Sequence, residues 1–103
     1  MQAFQQYLTQ EADSPVAVYF WSATCPACQR TSPEVEKARQ LAEGVSFAKV
    51  ELQKARELFE KTSIQATPTL VLFKASKEVA RFAGFRNAAD IADWIKDHTA
   101  TQR

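Results

Sequence analysis

Two side chains in this sequence are matched in type and spacing for covalent chemistry: Cys25 and Cys28, three positions apart in Trp21-Ser22-Ala23-Thr24-Cys25-Pro26-Ala27-Cys28. Thiols at this spacing can close a small disulfide and reopen it. The residues around them look like the junction between a strand and a helix. Pro26 suits the first helical position, which places Cys25 where an N-cap belongs. There the free N–H groups of residues 27 and 28 can point at the Cys25 sulfur, and the positive helix end favours thiolate over thiol. Cys28, one turn inside, is better shielded. Cys25 is therefore the attacking thiol and Cys28 the resolving one.

Two plainer readings compete. A Cys-x-x-Cys pair can be half of a zinc site, but zinc takes four ligands, and the remaining His or Cys is His98, far along the chain. Only a cluster shared between subunits would rescue that reading. His98 itself reads as a partly exposed residue near a helix C-terminus rather than a base. The cysteines could also be inert core residues, a reading that fits poorly with a position at the start of a helix.

The elements that must hold the pair follow from the hydrophobic pattern. Phe4, Tyr7, Leu8 and Ala12 form a helical stripe over residues 1 to 11, closed by Asp13-Ser14-Pro15. Residues 16–21, Val-Ala-Val-Tyr-Phe-Trp, are an unbroken apolar run, expected of a strand covered on both faces. A helix from Pro26 to about Glu43 contains Pro33, which removes a backbone hydrogen bond and should kink the axis, and ends with Gly44 at C′. Residues 45–52 read as a strand, and Ala55, Leu58, Phe59 and Thr62 as a short helix. Residues 70–73 and 79–83 form an antiparallel hairpin around a four-residue loop, Ala75-Ser76-Lys77-Glu78. Asn87 caps a last helix carrying Ile91, Trp94, Ile95 and His98. The order α-β-α-β-α-β-β-α makes this an α/β fold, one domain over residues 1–103: a mixed four-stranded sheet of two parallel strands plus an antiparallel hairpin, with helices on both faces.

Composition narrows the function classes. Thirteen Lys and Arg against twelve Asp and Glu leave a net charge of +1, which argues against nucleic-acid or membrane-surface binding. Two cysteines are too few for a disulfide framework, and two glycines exclude glycine-loop nucleotide binding. No apolar run approaches a membrane span, and the first residues lack a signal peptide's basic start and apolar stretch, so the expected location is the cytoplasm.

The strand, the Cys25-Pro26-Ala27-Cys28 motif, the helix with Pro33, and Ala66-Thr67-Pro68-Thr69-Leu70 before a hairpin together resemble the thioredoxin family over nearly the whole chain. The resemblance implies a cis bond before Pro68 that faces the dithiol, and an extended substrate segment pairing with the backbone of Thr67. Trp21, Thr24, Pro26, Ala27, Ala66 and Gly84 would complete the substrate-facing surface, with core packing the alternative role for Trp21. It implies a protein-disulfide reductase acting through a mixed disulfide and needing no bound cofactor. Its electrons would come from NADPH through a thioredoxin reductase, and its partners would be disulfide-containing proteins. The alternatives are a glutathione-dependent, glutaredoxin-like reductase and a non-catalytic adaptor or chaperone whose dithiol is a redox switch.

Several positions depart from the family pattern. Pro26-Ala27 replaces the usual Gly-Pro, and Thr24 replaces a tryptophan. Tyr19 stands where a buried aspartate usually handles the resolving thiol's proton, while that aspartate's lysine partner persists as Lys49, left without its carboxylate. These changes bear on rate and potential and leave the direction of electron flow open. The family's usual first strand is missing, which would leave the strand over residues 45–52 as an open edge. A monomer is expected, with pairing of two edges as the alternative.

Overall fold

The computed structural model describes residues 2–10 and 14–100. In chain order the elements are α1 (Gln2–Gln10), β1 (Val16–Trp21), α2 (Pro26–Leu41), β2 (Ser46–Glu51), a 3₁₀ turn (Leu52–Lys54), α3 (Arg56–Lys61), β3 (Thr69–Lys74), β4 (Lys77–Ala83) and α4 (Ala88–Ala100). The four strands form one sheet in the order β2-β1-β3-β4. β1 runs parallel to β2 and antiparallel to β3, and β3 and β4 form the hairpin.

This order explains the apolar run at residues 16–21. β1 has strands on both sides and helices on both faces, so all its residues but the last are buried. Its side chains alternate between two cores. Ala17 and Tyr19 pack with Leu70 and Leu72 against Val35 and Ala38 of α2 and Ile91, Trp94 and Ile95 of α4. Val16, Val18 and Phe20 pack with Val71 and Phe73 against Leu8 of α1 and Phe59 of α3. Phe20 and Phe59 meet edge to face at 5.2 Å, as do Phe82 and Trp94 at 4.8 Å. Each such fully buried side chain is worth about 1.5–3 kcal/mol.

Three local expectations are corrected. The hairpin turns on two residues, Ala75 and Ser76, with φ of 53° and 67°. Positive φ at both positions is the type I′ geometry that matches strand twist, and here it is made without the usual Asn-Gly. Lys77 and Glu78 therefore belong to β4, which takes up the difference in a bulge opposite Leu72 and Phe73. Helix α2 stops at Leu41 with Ala42 as its cap, so Gly44, at φ 77°, lies at C″ rather than C′. The strand expected over residues 45–52 is shorter, because Leu52 opens the 3₁₀ turn. The first helix is described over Gln2–Gln10; Met1, Glu11, Ala12 and Asp13 lie outside the described residues.

Asn87 caps α4 as expected, its Oδ1 accepting the Asp90 N–H at 2.9 Å. Replacing Asn87 by Ala should lower unfolding free energy by about 1 kcal/mol in denaturant titration. An unchanged midpoint would show that the cap contributes nothing.

Candidate active site

β1 ends at Trp21, and residues 22–24 carry the chain to Cys25, the N-cap of α2. Cys25 has the extended backbone typical of a cap (φ −97°, ψ 111°), and Pro26 at the helix start gives up no needed N–H. The Cys28 N–H, one of the helix's unpaired first-turn donors, points at Cys25 Sγ from 3.2 Å. No acidic residue occupies the first turn to compete for that positive end. Cys25 is half-buried and Cys28 is 1% exposed; both are free thiols.

The two thiols are driven apart. Partial burial works against a Cys25 thiolate, but hydrogen bonds from the Cys28 thiol, from the Thr67 side chain and from the backbone N–H groups of Cys28 and Ala27 outweigh it and hold Cys25 below its ordinary value. Burial pushes the Cys28 thiol up and its hydrogen bond to Cys25 pushes it further; hydrogen bonds with the Ser22 backbone and the Thr67 side chain oppose the rise, and the charge at Cys25 adds the least to it. The Cys25 sulfur thus favours the thiolate and the Cys28 sulfur the thiol.

The second wall of the site comes from the loop before β3. The Thr67–Pro68 peptide bond is cis, and the Thr67 carbonyl oxygen lies 3.4 Å from Cys25 Sγ. The Gly84 N–H donates to the Pro68 carbonyl at 2.9 Å, which ties the end of β4 to the same loop. Cys25, Thr67, Pro68 and Gly84 are thus linked by direct contacts. Thr24, Pro26 and Ala66 are exposed around them, and Ala27 and Thr67 are half-buried. Trp21 is also half-buried and packs against the α2/α4 core, so the packing role holds for part of its surface.

Tyr19 lies beneath the dithiol. It is 1% exposed, its hydroxyl donates to the Cys28 carbonyl at 3.3 Å, and it shares a hydrogen bond with Ser32 Oγ at 2.9 Å. Burial, against an opposing contribution from Ser32, pushes its hydroxyl up to about 12, with the nearby thiols adding to the rise. Lys49 pairs with Tyr19 across β1 and β2, but its side chain is exposed and its charge bears on Glu36 of α2. His98 sits half-buried in the last turn of α4, its Nδ1 2.9 Å from the Trp94 carbonyl oxygen.

Sequence reasoning missed a clamp on the loop that carries Cys25. The Gln53 amide donates through Nε2 to Ser22 Oγ at 2.9 Å and accepts the Ala23 N–H through Oε1 at 3.2 Å. The buried Ser22 in turn accepts the Thr24 N–H on Oγ and the Cys25 N–H on its carbonyl oxygen. Gln53 lies in the 3₁₀ turn after β2, in a polar stretch with no periodic signal; only the parallel pairing of β1 and β2 brings it to the site.

A dithiol at a helix start, facing a cis-proline loop on a mixed sheet with helices on both faces, defines a class of redox proteins. The thioredoxin family profile matches residues 1–97. The chain is 34% identical over 95 residues to thioredoxin from Alicyclobacillus acidocaldarius, covering 91% of this chain and 89% of that protein. It superposes on the X-ray structure of Fasciola hepatica thioredoxin with a TM-score of 0.85 at 30% identity, covering 94% of this chain and 92% of that one. It is also 31% identical over 99 residues to human Glutaredoxin-3, covering 95% of this chain but 29% of that protein. The chain belongs to the thioredoxin family and is a thiol–disulfide oxidoreductase of that family.

Replacing Gln53 by Ala should slow iodoacetamide alkylation of Cys25 at neutral pH by about two- to tenfold, the loss of one or two net hydrogen bonds that set the loop. Equal alkylation rates in the two proteins would remove the clamp from the account.

Proposed function

We propose that this protein reduces protein disulfides through a mixed disulfide at Cys25. The observation that carries this reading is the half-buried Cys25 sulfur at the tip of α2, with the Cys28 N–H on one side and the Thr67 carbonyl on the other. The Cys25 thiolate attacks one sulfur of a substrate disulfide. The substrate S–S bond breaks, a Cys25–substrate bond forms, and the first substrate sulfur leaves as a thiolate and takes a proton from solvent. Cys28 then loses its proton and attacks Cys25 Sγ, releasing the second substrate thiol and leaving a Cys25–Cys28 disulfide. Two electrons pass to the substrate. NADPH returns them through a thioredoxin reductase, with no cofactor bound to the protein itself. An extended segment of the substrate pairs with the backbone of Thr67.

The protein works as a monomer in the cytoplasm on this reading. The exposed Lys49 blunts the outer edge of β2 against pairing, and no helix among the described residues is long and apolar enough to cross a membrane.

Resolution is the slow half of the cycle. The Tyr19 hydroxyl, pushed up to about 12, cannot take the Cys28 proton near neutral pH, so solvent must. Tyr19→Phe should therefore leave the rate of resolution unchanged between about pH 6 and 9, whereas Tyr19→Asp should raise it by supplying a base. Equal rates for Tyr19→Asp and the parent, in protein shown to be folded, would refute a proton-transfer limit.

A second reading, glutathione as reductant, is favoured by Pro26 directly after Cys25 and by the similarity to Glutaredoxin-3. Insulin reduction coupled to NADPH oxidation separates the two. Turnover with thioredoxin reductase, lost in Cys25→Ser, is expected; turnover only with glutathione and glutathione reductase would reverse the assignment. An adaptor role would keep full function in Cys25→Ser.

A further inference from the structure

Phe85 follows Gly84, the residue tied to the Pro68 carbonyl of the loop that faces the dithiol, and is 46% exposed. A large apolar ring left in water at the rim of a reactive site marks a contact surface. Arg30, two residues beyond Cys28 on α2, holds its guanidinium over that ring, 5.2 Å from the centroid. The pair bridges α2 and the segment joining β4 to α4, and so forms one side of the rim.

The charge at Arg30 is available to a ligand. Among the described residues, no carboxylate lies within ion-pair distance of it, whereas Arg39 and Arg81 are paired with Glu36 and Glu78. On α2 the only acid within about one turn of Arg30 is Glu34. Glu34 is engaged elsewhere: its Oε1 accepts the Ala88 N–H at 2.8 Å, and its Oε2 is 3.5 Å from Lys37 Nζ. Contact with an aromatic face restrains the guanidinium while leaving N–H donors for an anion.

We propose that Arg30 and Phe85 form a selectivity rim that favours protein disulfides with an acidic residue close to the attacked cysteine. The inference rests on the reductase reading above. A substrate chain paired with Thr67 and attacked at Cys25 passes beside Gly84 and Phe85, where Phe85 covers its apolar stem and Arg30 receives its carboxylate. Neither residue touches the reacting sulfurs, so both act on substrate choice rather than on the exchange step.

The test uses the full chain with Cys28→Ser, which traps the adduct. Two symmetric disulfide-linked peptide dimers are compared, identical except for Glu or Lys two positions from the cysteine. Cys25 attacks one sulfur, the peptide S–S bond breaks, one half stays on Cys25 and the other leaves as a thiol. The Glu dimer should form adduct about two- to fivefold faster at low salt, and the preference should shrink as salt is raised. Arg30→Glu should invert the preference, and Phe85→Ala should weaken it, with iodoacetamide alkylation of Cys25 unchanged in both. Equal rates for the two dimers, or a preference that survives Arg30→Glu, would overturn the rim alone. Absence of adduct with either dimer would overturn the reductase reading and the rim together.

Discussion

The sulfur of Cys25 occupies the place that a serine or aspartate oxygen takes at most helix starts, and the site depends on that substitution. A helix leaves its first N–H groups without partners, and an N-cap oxygen normally accepts one of them. Here the acceptor is a group that can exist as thiol or thiolate, so the cap interaction favours the reactive state. The same helix buries Cys28 one turn later, and burial has the opposite effect on it. One geometric fact, two thiols on the first turn of α2, thus produces two unlike sulfurs.

The rest of the fold fixes what faces that sulfur. β1 and β3 are antiparallel neighbours at the centre of the sheet, so the end of β1 and the start of β3 lie side by side. The Cys25 loop leaves the first and the Thr67–Pro68 loop enters the second, which brings residues 42 positions apart into contact. β2, on the other side of β1, delivers Gln53 to the loop by the same logic, since a parallel neighbour ends at the same edge. Packing of α2 and α4 on one face, and of α1 and α3 on the other, holds the strands in register around the buried Tyr19 and Phe20.

Sequence was most informative where one local rule sufficed. An unbroken apolar run marked a central strand, proline after cysteine marked a helix start, and Asn87 marked another. The cis bond at Pro68 and its place opposite the dithiol came from family resemblance, since nothing local in Thr67-Pro68 distinguishes it from a trans pair. What escaped had its cause elsewhere in the chain. Ala75-Ser76 lacks the residues that favour positive φ, yet strand pairing imposes it. Gln53 and Ser22 look like ordinary polar residues until the sheet joins them. Lys49 reads as a partner for position 19 and does pair with Tyr19 in the strand register, but its side chain is exposed.

The hydrogen bonds gathered on the N-cap sulfur, from the residue 28 side chain, the Thr67 side chain and the first-turn N–H groups of α2, make Cys25 the acidic thiol of the pair. Ultraviolet thiolate absorbance, followed against pH in the parent and in Cys28→Ser, measures this directly. A first thiolate should survive to pH values below the ordinary thiol range and persist in Cys28→Ser, with a second step, absent from that variant, above the range. A Cys25 that gains its proton at or above the value of a free cysteine would contradict it.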